Sequence, residues 1–211
     1  MNIYLTVCLT HAILLICMVL LYFGIQNFGK TTHFIEKKID EKIPLVTQSV
    51  YIYVLWFPLI GLFPIAFFYY SVDTYLLFTH SLMITIIVST LFYYLYPTTI
   101  HRPEIEGDSF SARVMRIVYK GDYKGKNCSP SMHCSVCYLI MYYAVICPSM
   151  SSQIKILVCM LCVGIVMSTV LTKQHALIDT VTALCLVAVV LACTGSDFSH
   201  LDSWRAWLFA R

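Results

Sequence analysis

The sequence predicts an all-α polytopic membrane protein, a six-helix transmembrane bundle with its candidate active site at one membrane face. Three observations carry that expectation. The 211 residues are 59% hydrophobic and only 12% charged, with a mean hydropathy of +0.78, whereas a soluble domain carries roughly 25% charged residues. The apolar residues gather in six runs near the length of about 20 residues that a bilayer requires. The ionisable residues that stand out cluster at the ends of those runs, leaving the middles nearly free of charge. A transporter with a polar midplane site would show the reverse.

The runs cover residues 3–24, 50–70, 75–96, 132–150, 154–171 and 176–193, and they read as one transmembrane domain over 1–211 with no linker or repeat. The first run lacks a basic stretch before it, and Gly24-Ile25-Gln26 is not a small-residue cleavage site. It therefore reads as a retained helix, not a signal peptide. The second contains Pro58, Gly61 and Pro64, which a membrane bundle tolerates as kinks. Residues 30–43 follow the first run. Ile35, Ile39 and Ile43 recur there at helical spacing among lysines and acids, as in a short amphipathic helix on the membrane surface or a solvated charged loop. The longest polar segment, 97–131, carries six Lys and Arg. Within it Ser109 is a candidate cap for a short helix in which Phe110, Val114 and Val118 recur every fourth residue.

Most of the ten cysteines lie inside apolar runs, where cysteine acts as a small buried hydrophobe. The two CxxC pairs, Cys134/Cys137 and Cys159/Cys162, fall within predicted membrane helices, away from the accessible thiolates that redox or zinc chemistry needs. Cys128 and Cys134 flank a motif described next, and two cysteines alone do not fix a pairing. His11 and His80 stand alone on apolar runs and read as structural.

Two short stretches carry chemistry: Pro130-Ser131-Met132-His133 and Gln174-His175-Ala176-Leu177-Ile178-Asp179. His175 and Asp179 share a helix face one turn apart. A carboxylate there can hold one ring nitrogen's proton and leave the other nitrogen's lone pair free for attack. His133 is a candidate to protonate a leaving oxygen. With six spans, Arg102, Ser131, His133, Lys173, His175 and Asp179 all meet at one face. Arginine presents a planar fork that matches phosphate, and Ser131 and helix-start amides add donors. No cluster has metal-ligand spacing, so the expected chemistry is phosphoryl transfer without metal or other cofactor.

His101-Arg102-Pro103, then Pro130-Ser131-Met132-His133, then His175-Ala176-Leu177-Ile178-Asp179 resemble the type 2 phosphatidic acid phosphatase superfamily of integral membrane phosphoesterases. The stretches around residues 127–133 and 168–175 look like the branch holding inositol phosphorylceramide and sphingomyelin synthase-like enzymes. The resemblance implies that His175 forms a phosphoenzyme, Asp179 orients it, His133 protonates the departing lipid alkoxide and then activates water, and Arg102 and Ser131 hold the phosphoryl oxygens. It departs at two places. Leu95 stands where the family has a lysine, and Thr169 where it has an arginine. Lys173 is the candidate to supply one missing cation, and Arg116 or a lysine of the 120–126 stretch the other.

The resemblance implies a lipid phosphatase acting on a phosphate monoester or diphosphate, with the bilayer and a lipid phosphate as partners and no nucleic acid. Transfer of a phospho-headgroup to a lipid hydroxyl differs only in the acceptor, which motifs do not show. A non-catalytic scaffold or transporter is the rival from another class. The lipid and the oligomeric state stay open. The family usually places its active site outside the cytoplasm or in a lumen, and the expectation here follows it: an integral multi-pass protein with its active site on the extracytoplasmic or lumenal face. Against that, 11 of the 14 Lys and Arg fall on the motif side, which by the positive-inside rule is the cytoplasmic one.

Overall fold

The computed structural model describes residues 3–28, 31–122 and 124–194. Among them the regular structure is helical apart from one pair of two-residue strands, with irregular stretches such as 100–109 between the helices. In chain order the elements are α1 (Ile3–Ile25), β1 (His33–Phe34), α2 (Lys38–Glu41), a 3₁₀ turn at Thr47–Ser49, α3 (Val50–Val54), α4 (Trp56–Tyr70), α5 (Val72–Leu95), β2 (Thr98–Thr99), α6 (Phe110–Gly121), α7 (Met132–Ile146), α8 (Ser152–Leu171) and α9 (Leu177–Thr194).

Among the described residues five helical stretches are long and apolar enough to cross a membrane: α1, the Thr47–Tyr70 stretch, α5, α8 and α9. The fourth predicted run is shorter than expected, because α7 stops at Ile146 after 15 residues. Pro148 is the reason: it cannot donate into a helix, and it forces its neighbour Cys147 into extended backbone (ψ 116°). The second run is interrupted at Leu55, three residues before Pro58. Proline has no N–H for the carbonyl of Val54, and the Leu55 N–H closes a tight turn on the Ile52 carbonyl at 3.1 Å instead. Pro64 stays inside α4.

α7 is the central helix. It packs against α5, α8 and α9 and buries Val136, Cys137, Leu139, Ile140 and Tyr143 almost completely. The outer helices turn large apolar side chains outward: Leu20, Leu62, Leu157 and Met160 are all about two-thirds exposed. A face of that kind suits acyl chains, not water. His11 in α1 bonds the Ile60 carbonyl of α4 at 2.8 Å, tying two helices. Serine caps start four helices, with Ser71, Ser109, Ser131 and Ser151 each accepting from a backbone N–H three residues on.

Residues 30–43 form neither a surface amphipathic helix nor a solvated loop. Lys30 lies outside the described residues. β1 pairs in parallel with β2, His33 opposite Thr98 and Phe34 opposite Thr99. Only one turn, α2, is helical. Tertiary bonds override the isoleucine spacing. The buried Asp40 carboxylate accepts from Lys37 N–H and, from 137 residues away, from Leu177 N–H, both at 2.8 Å. It thereby caps α9 and straps the segment over one end of the bundle.

Candidate functional site

The site lies where α5 ends, α7 and α9 begin, and α8 ends. The turn from α8 to α9 is tight. Lys173 takes a left-handed backbone conformation, φ 52°, and the Thr169 carbonyl accepts from both Gln174 N–H (3.0 Å) and His175 N–H (3.1 Å). That fork fixes the backbone of His175 against the end of α8.

The side chain of His175 is fixed as firmly. Its Nδ1 lies 3.0 Å from the Cys128 carbonyl and 3.2 Å from Asp179 Oδ2. Both are acceptors only, so Nδ1 carries the proton and Nε2 carries the lone pair. Asp179 is fully buried, and its Oδ2 also accepts from Ala176 N–H at 2.9 Å, while Oδ1 has no partner among the described residues. The Asp179 carbonyl accepts from Ser131 N–H at 3.3 Å, which joins the start of α9 to the start of α7.

The ring of His133 stands 5.7 Å from that of His175, centroid to centroid. Its other neighbours are aromatic: Tyr53 is stacked at 4.7 Å and Trp56 lies at 4.3 Å. His133 Nε2 is buried without a partner among the described residues. Ser131 is fully buried and caps α7 by accepting from Cys134 N–H at 3.3 Å.

Arg102 reaches the same pocket but is already engaged. One terminal nitrogen donates to the Asp122 carbonyl and the other to Asp122 Oδ2, each at 2.7 Å. Asp122 is held in turn by Gln26 Nε2 at 3.1 Å and the Tyr22 hydroxyl at 3.4 Å. Burial works against the guanidinium charge, but the Asp122 carboxylate outweighs it and holds the Arg102 pKa above its ordinary value. Gly125 makes room for this arrangement, since a Cβ there would meet Arg102 Cζ at 3.3 Å. Tyr119 lies below the guanidinium at 5.4 Å and donates to the Thr172 carbonyl at 2.8 Å. Burial pushes its hydroxyl up to about 12, with Arg102 pulling the other way.

Three of the candidate replacements for the two cations that the resemblance implies are committed elsewhere, while Lys120 is exposed on α6. Lys173 Nζ donates to the Asp40 carbonyl at 2.7 Å. Arg116 donates to the carbonyls of Ile105 and Gly107 at 3.0 and 2.8 Å, and Lys124 donates to Asn27. Thr169 points its hydroxyl at the Val166 carbonyl, 2.7 Å away. Leu95 is 56% exposed at the end of α5.

Two openings reach the histidines, one at each ring. A polar mouth of about 290 Å³ is lined by Glu36, Asp40, Glu41, His101, Arg102, Lys173 and His175 among others. Glu36 pairs with His101 on its rim. An apolar cleft of about 420 Å³ between α1, α4 and α6 reaches Asp122, Met132 and His133. Cys128, His175 and Asp179 place a thiol, an imidazole and a carboxylate within 4.8 Å of one another, near enough for a metal by distance. Their chemistry fits poorly. Burial, then the charge of Asp179, pushes the Cys128 thiol up, the thiol donates to the Gly125 carbonyl, and His175 Nδ1 is already protonated. Cys128 and Cys134 are both free.

Asp122, Asp40, the Cys128 carbonyl, and Tyr53 with Trp56 belong to the site without having been singled out in the sequence. A Gly-Asp pair directly after an amphipathic helix was a faint signal for Asp122; nothing links residue 40 to residue 177. The chain matches no protein-family model, no curated protein and no solved structure.

Proposed function

We propose that the protein is a membrane enzyme that cleaves a phosphate monoester or diphosphate from a lipid through a phosphohistidine, without metal. One observation carries this reading. A tautomer-fixed imidazole and a second imidazole 5.7 Å away sit between a polar mouth and an apolar cleft, as an amphiphilic phosphoester requires.

In the proposed reaction His175 Nε2 attacks phosphorus, and the bond from phosphorus to the lipid oxygen breaks. The leaving alkoxide takes a proton from His133, on the side of the apolar cleft. The phosphorylated ring keeps its Nδ1 proton and becomes cationic, and Asp179 stabilises that charge. His133 then removes a proton from water, which attacks phosphorus and breaks the P–N bond. Arg102 and Ser131 bind phosphoryl oxygens, with Lys173 at the rim. In this reading α7, flanked by membrane-length helices on its sides, completes six spans. The resemblance puts the mouth on the extracytoplasmic or lumenal side and the basic loops argue for the cytoplasm; a glycosylation acceptor in the exposed loop near Glu104 decides between them. Arg205 and Arg211, used in that charge comparison, lie outside the described residues.

A second reading, transfer of a phospho-headgroup to a lipid hydroxyl, is favoured by the scarcity of free cations: Arg102 and Lys173 are engaged, and Leu95 and Thr169 replace two others. The test is phosphate release by the purified full chain over a panel of lipid phosphates and diphosphates in EDTA, with His175→Ala alongside. Release that disappears in the variant supports hydrolysis. Release only when ceramide or diacylglycerol is supplied as acceptor supports transfer. Lipid turnover indifferent to His175→Ala would leave a scaffold or transporter.

A further inference from the structure

The helix α6 has three faces, and only one is packed. At about 100° per residue, Ser111, Ala112 and Met115 share the buried face. Phe110, Val114 and Ile117 form a second stripe, and Arg113, Arg116 and Lys120 a third, roughly 90° round from it. The second stripe should be the core face of an amphipathic helix, but its two largest members face outward, Phe110 71% and Ile117 70% exposed, and Val114 lines the open apolar cleft. Of the basic residues, Arg116 is engaged by loop carbonyls. Arg113 and Lys120 have no partner among the described residues.

We infer that α6 docks in the interface of an anionic leaflet, with Phe110, Val114 and Ile117 among the upper acyl segments and Arg113 and Lys120 at the level of acidic headgroups. An apolar stripe beside a basic one is the pattern of helices that lie in the plane of a bilayer. Two further observations fix the occupant as lipid. The stripe is continuous with the lipid-facing surface of a membrane-length helical stretch, since Phe110 stacks on Tyr51 at 6.1 Å and Ile117 lines one cleft with the exposed Phe57. The unpaired charges beside it are cationic, complementary to acidic headgroups. The docked helix also touches the candidate site, because Tyr119 lies against Arg102 and Asp122 follows directly as the helix's cap. The inference concerns the position of α6 and stands apart from the proposed chemistry.

The experiment places a tryptophan at the stripe, Phe110→Trp, in the full chain reconstituted in nanodiscs of phosphatidylcholine alone or with an equal amount of phosphatidylglycerol. The emission added over the parent, which has Trp56, Trp204 and Trp207, is read against lipid brominated near the top of its acyl chains. The expected result is quenching, stronger in the anionic discs, weakened by salt, with the docked-to-undocked ratio falling about fivefold for each of Arg113→Gln and Lys120→Gln, the effect of one basic side chain near an anionic surface. Three results would overturn it: no quenching in either disc, equal quenching in both discs with the two cations intact, or emission that changes only when two copies associate.

Discussion

Replacing Asp179 by asparagine separates charge from geometry in the His175 pair. Asp179 Oδ2 serves both Nδ1–H of His175 (3.2 Å) and N–H of Ala176 (2.9 Å), and Oδ1 serves nothing. An asparagine oxygen can take the Oδ2 position and keep both bonds, with its amide where Oδ1 stands. For the His175 ring only charge assistance is lost, about 1 to 2 kcal/mol, the difference between a charged and a neutral hydrogen bond; the buried amide, with no acceptor at the Oδ1 position, lowers stability by about 1–3 kcal/mol besides. That corresponds to a fall in kcat of roughly five- to thirtyfold. The loss is held to this size because the Cys128 carbonyl, 3.0 Å from Nδ1, still enforces the tautomer. Asp179→Ala removes both bonds. It should slow turnover about ten- to 150-fold through His175, and it should also destabilise the fold by about 1–3 kcal/mol by leaving the Ala176 N–H unpaired. The assay is single-turnover phosphate release from the preferred lipid phosphate, with thermal unfolding of each variant in parallel. Asp179→Asn turning over at the parent rate would show that the carboxylate charge plays no part. Asp179→Asn as inactive as His175→Ala would show that the Cys128 carbonyl does not hold the ring.

Four other outcomes are expected. His133→Ala should slow release from alkyl lipid phosphates about 10²–10⁴-fold while sparing an activated aryl phosphate, so the ratio of the two rates tests the acid role; equal losses would remove it. Asp122→Asn should raise the KM for phosphate several-fold with little change in kcat, because the fork that aims Arg102 loses charge assistance; a lower KM would mean that Asp122 competes with substrate. Asp40→Ala should destabilise the protein by about 1–3 kcal/mol by unpairing the N–H groups of Lys37 and Leu177, seen as a lower unfolding midpoint. Full activity should persist in EDTA, and a loss restored by added zinc would make Cys128, His175 and Asp179 a metal site.

The membrane class and the helix order were legible because hydropathy is a property of consecutive residues. The same locality explains the misplaced boundaries at Leu55 and Ile146, where a proline three residues on and one two residues on remove a backbone donor. The meeting of His133, His175 and Asp179 was legible for a different reason. Motifs at the ends of antiparallel runs must converge whichever way the helices lean. What stayed hidden was everything carried by backbone atoms or by single acids in loops. The Cys128 carbonyl is invisible to residue type, and Asp40 reaches α9 across 137 residues.

The cations proposed to bind phosphate differ in a way that charge alone does not show. Arg102 belongs to one of the motifs and Lys173 only stands beside another, and their surroundings separate them further. Lys173 carries its ammonium to the Asp40 carbonyl from a left-handed turn, which ties it to the strap of residues 31–43 and leaves two N–H donors for a phosphoryl oxygen only from that fixed position. Arg102 has five N–H donors and gives two of them to Asp122, so it can keep its anchor and still bind a phosphoryl oxygen. A headgroup that Arg102 alone can hold leaves both anchors in place, whereas one that draws Lys173 off the Asp40 carbonyl breaks one tie of the strap, whose bonds from Asp40 to Leu177 and from β1 to β2 remain. In the proposed reaction the engagement of Lys173, together with Leu95 and Thr169 at two positions where the resemblance implies cations, therefore limits the negative charge that the mouth holds.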